Sequence, residues 1–70
     1  MAELLAPLVG KVWDILVSVG AKVAEDDELI VIEAMKMENT VFSPCDGTVK
    51  EIRVKKGDSV KDDEVLMIIE

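Results

Sequence analysis

Few side chains in this 70-residue chain are equipped for chemistry. It has no histidine, and Cys45 is its only cysteine, so neither a Cys/His metal cluster nor an intramolecular disulfide is available. The residue that stands out is Lys36, in the run Glu33-Ala34-Met35-Lys36-Met37-Glu38. A lysine ε-amine is a nucleophile when neutral and can accept an acyl group. Methionine is flexible and apolar, which suits recognition by contact. Against this stands the simplest account of any hairpin lysine: a solvated surface cation beside two methionines that pack on the body of the protein.

The elements around Lys36 bear on that choice. Residues 29–33 read as an incoming strand and residues 39–42 as an outgoing one, so Lys36 falls near the tip of a hairpin with its amine toward solvent. Two-residue hairpin turns favour Asn-Gly and other glycine-containing pairs, which accept positive φ at little cost. Met-Lys offers neither residue, so a tight turn here predicts local strain.

The hairpin sits between two copies of one unit. Shifting the sequence by 37 positions lays residues 6–33 on residues 43–70 without a gap, with 11 identities in 28 positions. Pro7, Gly10, Val12, Ile15, Val17, Gly20, Val23, Asp26, Leu29, Ile32 and Glu33 each meet the same residue 37 positions later. Each copy reads as a Pro/Gly turn, a β-branched run, a turn at Gly20 or Gly57, and a second apolar run ending in Glu. Residues 34–42 belong to neither copy and join the two.

The composition favours strands, since the apolar half of the chain is mostly Val, Ile and Leu, and no window carries a helical apolar stripe. Two units are too few for a solenoid, so they must close on each other. The expected fold is all-β: a flattened barrel or sandwich of short antiparallel strands with pseudo-twofold symmetry, forming one domain over residues 1–70. Val12, Ile15 and Val17 break strict alternation once, and Val49, Ile52 and Val54 repeat the break, which predicts a bulge or corner at the same place in both halves. Residues 29–32 and 65–69 are continuously apolar, so both faces of those strands are expected to be partly covered, by neighbouring loops or by a larger protein.

Charge and hydropathy narrow the function classes. Fifteen acidic against eight basic residues give a net charge of −7, which argues against nucleic acid and anionic membrane surfaces. The longest apolar run is too short to span a bilayer, and Met1-Ala2-Glu3-Leu4-Leu5 lacks the basic region of a signal peptide. With one lone cysteine, a reducing, cytoplasmic location is the expectation.

The run Glu33-Ala34-Met35-Lys36-Met37-Glu38 resembles the attachment motif of biotinyl domains, in which the lysine of Ala-Met-Lys-Met is acylated by a biotin ligase. Ala6-Pro7-x-x-Gly10 and Pro44-x-x-Gly47 open the two halves as in that family, and the resemblance covers roughly residues 4–70. It implies two four-stranded antiparallel sheets with the modified lysine on an exposed hairpin. Lipoyl domains are similar in fold, but their lysine typically follows Asp and precedes Ala, so Met35 and Met37 favour biotin. The chain departs from many members in having Asp26 and Asp63 where glycine is common, and Val9 where a second proline is common. Aspartate tolerates the left-handed region, so those turns are expected to survive. The gapless repeat leaves no room for the protruding thumb of some acetyl-CoA carboxylase carriers.

By this resemblance Lys36 would carry biotin as an amide, while Met35 and Met37 serve ligase recognition or orient the tether. Ala34, Glu33 and Glu38 complete the motif. The implied role is a carboxyl carrier of a biotin-dependent carboxylase, transcarboxylase or decarboxylase. Its partners would be a biotin protein ligase, a biotin carboxylase, and a carboxyltransferase or decarboxylase. No catalytic residue of its own is expected. A lipoyl carrier and an unmodified interaction barrel are the alternatives.

Overall fold

The computed structural model describes residues 2–70; of the domain expected over residues 1–70, Met1 lies outside the described residues. Eight strands follow in order: β1 (Ala2–Leu5), β2 (Gly10–Ile15), β3 (Lys22–Val23), β4 (Glu28–Ala34), β5 (Met37–Phe42), β6 (Gly47–Ile52), β7 (Ser59–Val60) and β8 (Val65–Ile69). They form two four-stranded sheets, ordered β1-β8-β6-β3 and β5-β4-β2-β7, in which every pairing is antiparallel. The all-β fold expected from the repeat is the fold observed.

A shift of 37 carries β2 onto β6, β3 onto β7 and β4 onto β8. It also carries β1 onto residues 39–42 of β5, and one sheet order onto the other. The structural repeat therefore runs further than the sequence repeat, because residues 2–5 and 39–42 share a place in the fold with little likeness of side chain. This shortens the connector from residues 34–42 to residues 34–38.

The halves close by exchanging their shortest strands. β3 of the first half pairs with β6 of the second, and β7 of the second pairs with β2 of the first. Loop bonds repeat the exchange: Asp63 N–H donates to Ala6 O at 2.9 Å, and Asp26 N–H to Ser43 O at 2.9 Å. The core is built from the same pairs: Val12 with Val49, Val23 with Val60, Leu29 with Leu66, Ile30 with Met67, Ile32 with Ile69, and Leu4 with Val41, all buried. Neither set of side chains is covered without the other half.

The expected irregularity in β2 and β6 is present, with register shifts between Val12 and Asp14 and between Val49 and Glu51. A second matched pair of shifts explains the continuous apolar runs. The ladder skips Leu29 in β4 and Leu66 in β8, and there two successive residues are buried, Leu29 with Ile30 and Leu66 with Met67. The two-sided cover anticipated for these strands is thus needed only at Val31 and Ile68. Cross-strand neighbours flank them, Asp14 and Thr40 beside Val31, Glu3 and Glu51 beside Ile68.

Outside the core the symmetry lapses. Val9, Trp13, Leu16 and Val19 are exposed, and their counterparts are Asp46, Lys50, Arg53 and Lys56, so the fold itself does not demand apolar residues there.

Asp26 and Asp63 take φ of 70° and 65°, the left-handed conformation expected where related chains commonly have glycine. Both are exposed. Replacing either by Val, which is β-branched and poorly suited to positive φ, is expected to cost roughly 1–2 kcal/mol, and Gly is expected to be tolerated. Thermal melts followed by Trp13 fluorescence check this: D26V and D63V should fall by similar amounts, roughly 4–8 °C per kcal/mol. An unchanged melting temperature for both would contradict the assignment of strain to these turns.

Candidate functional site

β4 and β5 pair from Glu28↔Phe42 through Ile32↔Asn39 and Glu33↔Glu38 to Ala34↔Met37, leaving Met35 and Lys36 as a two-residue turn. Their φ values are 54° and 64°. Positive φ at both central residues is the type I′ geometry, whose twist matches the flanking strands. Four non-glycine residues among those described have positive φ, and two of them are these neighbours. The strain expected from Met-Lys is therefore present, of order 1–2 kcal/mol for each residue.

The tip projects beyond the body of the barrel. Lys11↔Glu33 is the last pair between β2 and β4, so from Ala34 onward β4 is paired in the ladder only with β5. Met35 is 94% exposed and Met37 67%, so neither methionine packs on the barrel, and Lys36 is exposed with them. Among the described residues the one ion pair within 4 Å is Arg53 Nε to Glu51 Oε1 at 3.5 Å, which leaves the Lys36 ammonium without a carboxylate partner.

The other motif residues form the stem. Glu33 and Ala34 are half-buried and Glu38 is exposed. Glu33 stands between Lys11 and Glu38 across the sheet, so two carboxylates face each other beside the tip. Like charges directly opposite are mildly unfavourable and give the base of the hairpin a negative field. The sequence reading missed Asn39. Its Nδ2 donates to Met37 O at 3.2 Å and to Ile32 O at 3.4 Å, tying the outgoing strand to the incoming one just below the tip. A hint was available, since Asn is unfavourable in strands unless its amide is used.

This arrangement holds a primary amine clear of the protein surface on a short, stiff stem between two large apolar side chains. Among the described residues no carboxylate comes within 4 Å of the Lys36 amine. Such a placement suits an amine that other proteins act upon.

Comparison with known proteins gives this site a family. The model of the biotin/lipoyl family, described as "Biotin-requiring enzyme", matches residues 2–69. The chain belongs to that family. It is 48% identical over 65 residues to the mitochondrial pyruvate carboxylase of Homo sapiens, covering 93% of this chain and 6% of that protein. It is 40% identical over 67 residues to the alpha subunit of mitochondrial methylcrotonoyl-CoA carboxylase of Oryza sativa subsp. japonica, covering 96% and 9%. Its fold superposes on the crystal structure of the Kluyveromyces lactis urea carboxylase with a TM-score of 0.92 at 34% identity, covering 97% of this chain and 6% of that one. The chain thus spans less than a tenth of the length of these relatives, and the match to biotin-dependent carboxylases favours a biotin carrier domain over a lipoyl domain.

The residues at the hairpin fit biotin as a resident group. An amide needs one accessible amine, and Lys36 is exposed with no carboxylate within 4 Å of its amine among the described residues. If the turn is strained for display, relieving it should stabilise the fold. Replacing Met35 by Asn together with Lys36 by Gly removes two αL penalties and little buried area, so the melting temperature is expected to rise by several degrees, from about 1 kcal/mol or more. A melting temperature equal to or below that of the parent would mean that Met-Lys sits in this turn without strain.

Proposed function

We propose that this domain is a biotin carboxyl carrier in which Lys36 Nζ forms an amide with the carboxyl group of biotin. The observation that carries the reading is the exposed amine at the tip of a strained type I′ hairpin, in a chain of the biotin-requiring family. A hairpin optimised for stability would use Asn-Gly at these two places.

Attachment requires an activated acyl donor. A biotin protein ligase would present biotin as its adenylate; the Lys36 amine attacks the acyl carbonyl, the amide C–N bond forms, and AMP leaves. Lysine is ordinarily protonated at neutral pH, so the ligase must also take up a proton from the ammonium. This chain has no group placed to do so. Met35 and Met37 offer the ligase two exposed apolar contacts either side of the amine.

When bound, the cofactor supplies a ureido nitrogen able to carry a carboxyl group. The chain's own contribution is positional. The hairpin projects, so a group on Lys36 would be presented away from the barrel, and joining donor and acceptor sites through one arm would raise the effective concentration at each toward the mM range. The partners that fit are a biotin carboxylase and a carboxyltransferase or decarboxylase. The domain by itself catalyses no reaction.

Intact mass and an avidin blot after coexpression with a biotin ligase test the proposal. The natural chain is expected to gain one biotin and Lys36→Arg none, with unchanged melting behaviour. An unmodified natural chain would refute the reading, and a label that persists in Lys36→Arg would move the site. Replacing Met35 by Asp and Met37 by Ala is expected to slow biotinylation at least several-fold; an undiminished rate would remove their recognition role.

A further inference from the structure

Gly10 lies 26 residues before Lys36, and β2 begins with it. Its φ is not among the positive values, so it is not there for conformational freedom. What it provides is space. A Cβ at this position would lie 2.6 Å from Glu33 O, 2.6 Å from Ile32 Cγ2 and 3.3 Å from Ala34 Cβ. The first two separations are shorter than real Cβ contacts allow, and one of them is to backbone. The end of β4 therefore rests directly on the β2 backbone, at the residues just before the Met35-Lys36 turn.

The pseudo-twofold supplies a matched position. A Cβ on Gly47 would lie 2.7 Å from Glu70 O and 2.7 Å from Ile69 Cγ2, the same contact at the end of β8. As a requirement of packing the two glycines are equivalent. They differ in what stands above them: Gly47 adjoins the end of the described chain, and Gly10 adjoins the hairpin that carries Lys36. Since β2–β4 pairing stops at Lys11↔Glu33, the seat at Gly10 is the barrel's outermost hold on the stem.

Resting on the reading of Lys36 as the biotin acceptor, we infer that Gly10 is the positioning residue of the acceptor hairpin. Its missing side chain sets how closely β4 approaches β2, and hence the height and direction at which the Lys36 amine is presented to the ligase. A methyl group at residue 10 forces Glu33 and Ala34 away from β2 by several tenths of an ångström. That displacement is carried to the tip, because Glu33 and Ala34 are paired rigidly to Glu38 and Met37.

The test compares Gly10→Ala with Gly47→Ala in the whole chain, using a biotin protein ligase, biotin and ATP. Melting temperatures should fall by similar amounts, because the lost contact is the same. Biotinylation should separate the variants. With both folded at the assay temperature, Gly10→Ala is expected to lower kcat/KM for the carrier by about tenfold or more, misplacement of a reacting group by about 1 Å being able to cost as much as a hundredfold. Gly47→Ala should stay within about twofold of the parent. Amide NMR shifts of Met35, Lys36 and Met37 should move in Gly10→Ala and not in Gly47→Ala.

If either glycine variant fails to fold, Ile32→Leu against Ile69→Leu carries the same comparison. Each exchange conserves volume and removes the Cγ2 that rests on its glycine, at a cost ordinarily below about 1.5 kcal/mol. Ile32→Leu should then be the slower substrate. Equal biotinylation within the matched pair, or hairpin amide shifts that do not differ between its members, overturns the inference. A parent chain that takes no biotin refutes the acceptor reading instead, and the NMR comparison still decides whether Gly10 positions the hairpin.

Discussion

Neither half of this chain can cover its own apolar face, and the rest of the structure follows from that constraint. A domain of this size buries only roughly 60% of the surface its unfolded chain exposes, so it has one core and little to spare. Here that core is an interleaving of equivalent residues, Ile32 with Ile69, Leu29 with Leu66, Val12 with Val49, closed by the exchange of β3 and β7 between the sheets. The exchange makes the halves mutually dependent. It also fixes where the chain must cross from one half to the other.

That crossing carries the proposed attachment site. Residues 34–38 join two copies of one unit, and their tip extends past the last β2–β4 pair, where packing makes few demands. A sequence free to choose would relax the turn, yet Met35 and Lys36 hold φ of 54° and 64° and expose nearly all of a methionine. Strain and exposed apolar surface both cost stability, and the symmetric core offsets them. Under the proposed function, that stability serves to hold an amine exposed.

Much of this was legible in the sequence because repetition reveals what a single pass does not. The broken alternation at Val12 and Ile15 gained meaning when Val49 and Ile52 repeated it, and the bulge is there in both strands. The left-handed turns at Asp26 and Asp63 came instead from the family resemblance, since glycine is common there at both places. The bulges at Leu29 and Leu66 were hidden, because four or five apolar residues in succession look alike whether one face is buried or two. The relation of β1 to β5 was hidden because edge strands constrain their side chains weakly, so Ala2 and Asn39 share a position without sharing chemistry. Gly10 read as a turn residue; its contact with Glu33 O exists only between strands that sequence distance does not connect. Asn39 was passed over although Asn within a strand was a hint, because its partners, the Met37 and Ile32 carbonyls, are backbone groups that the letters do not name.

The central claim is that the barrel prepares the site, so that the motif acts through its held geometry and not as a string of residues. The direct measurement is the rate at which a biotin ligase acylates the folded chain compared with a linear peptide of residues 28–42, at equal concentration and with saturating biotin and ATP. The folded chain should react faster by roughly a hundredfold or more, the advantage of a reacting group already in place. Equal rates would contradict the account, for the peptide would then contain everything the ligase requires.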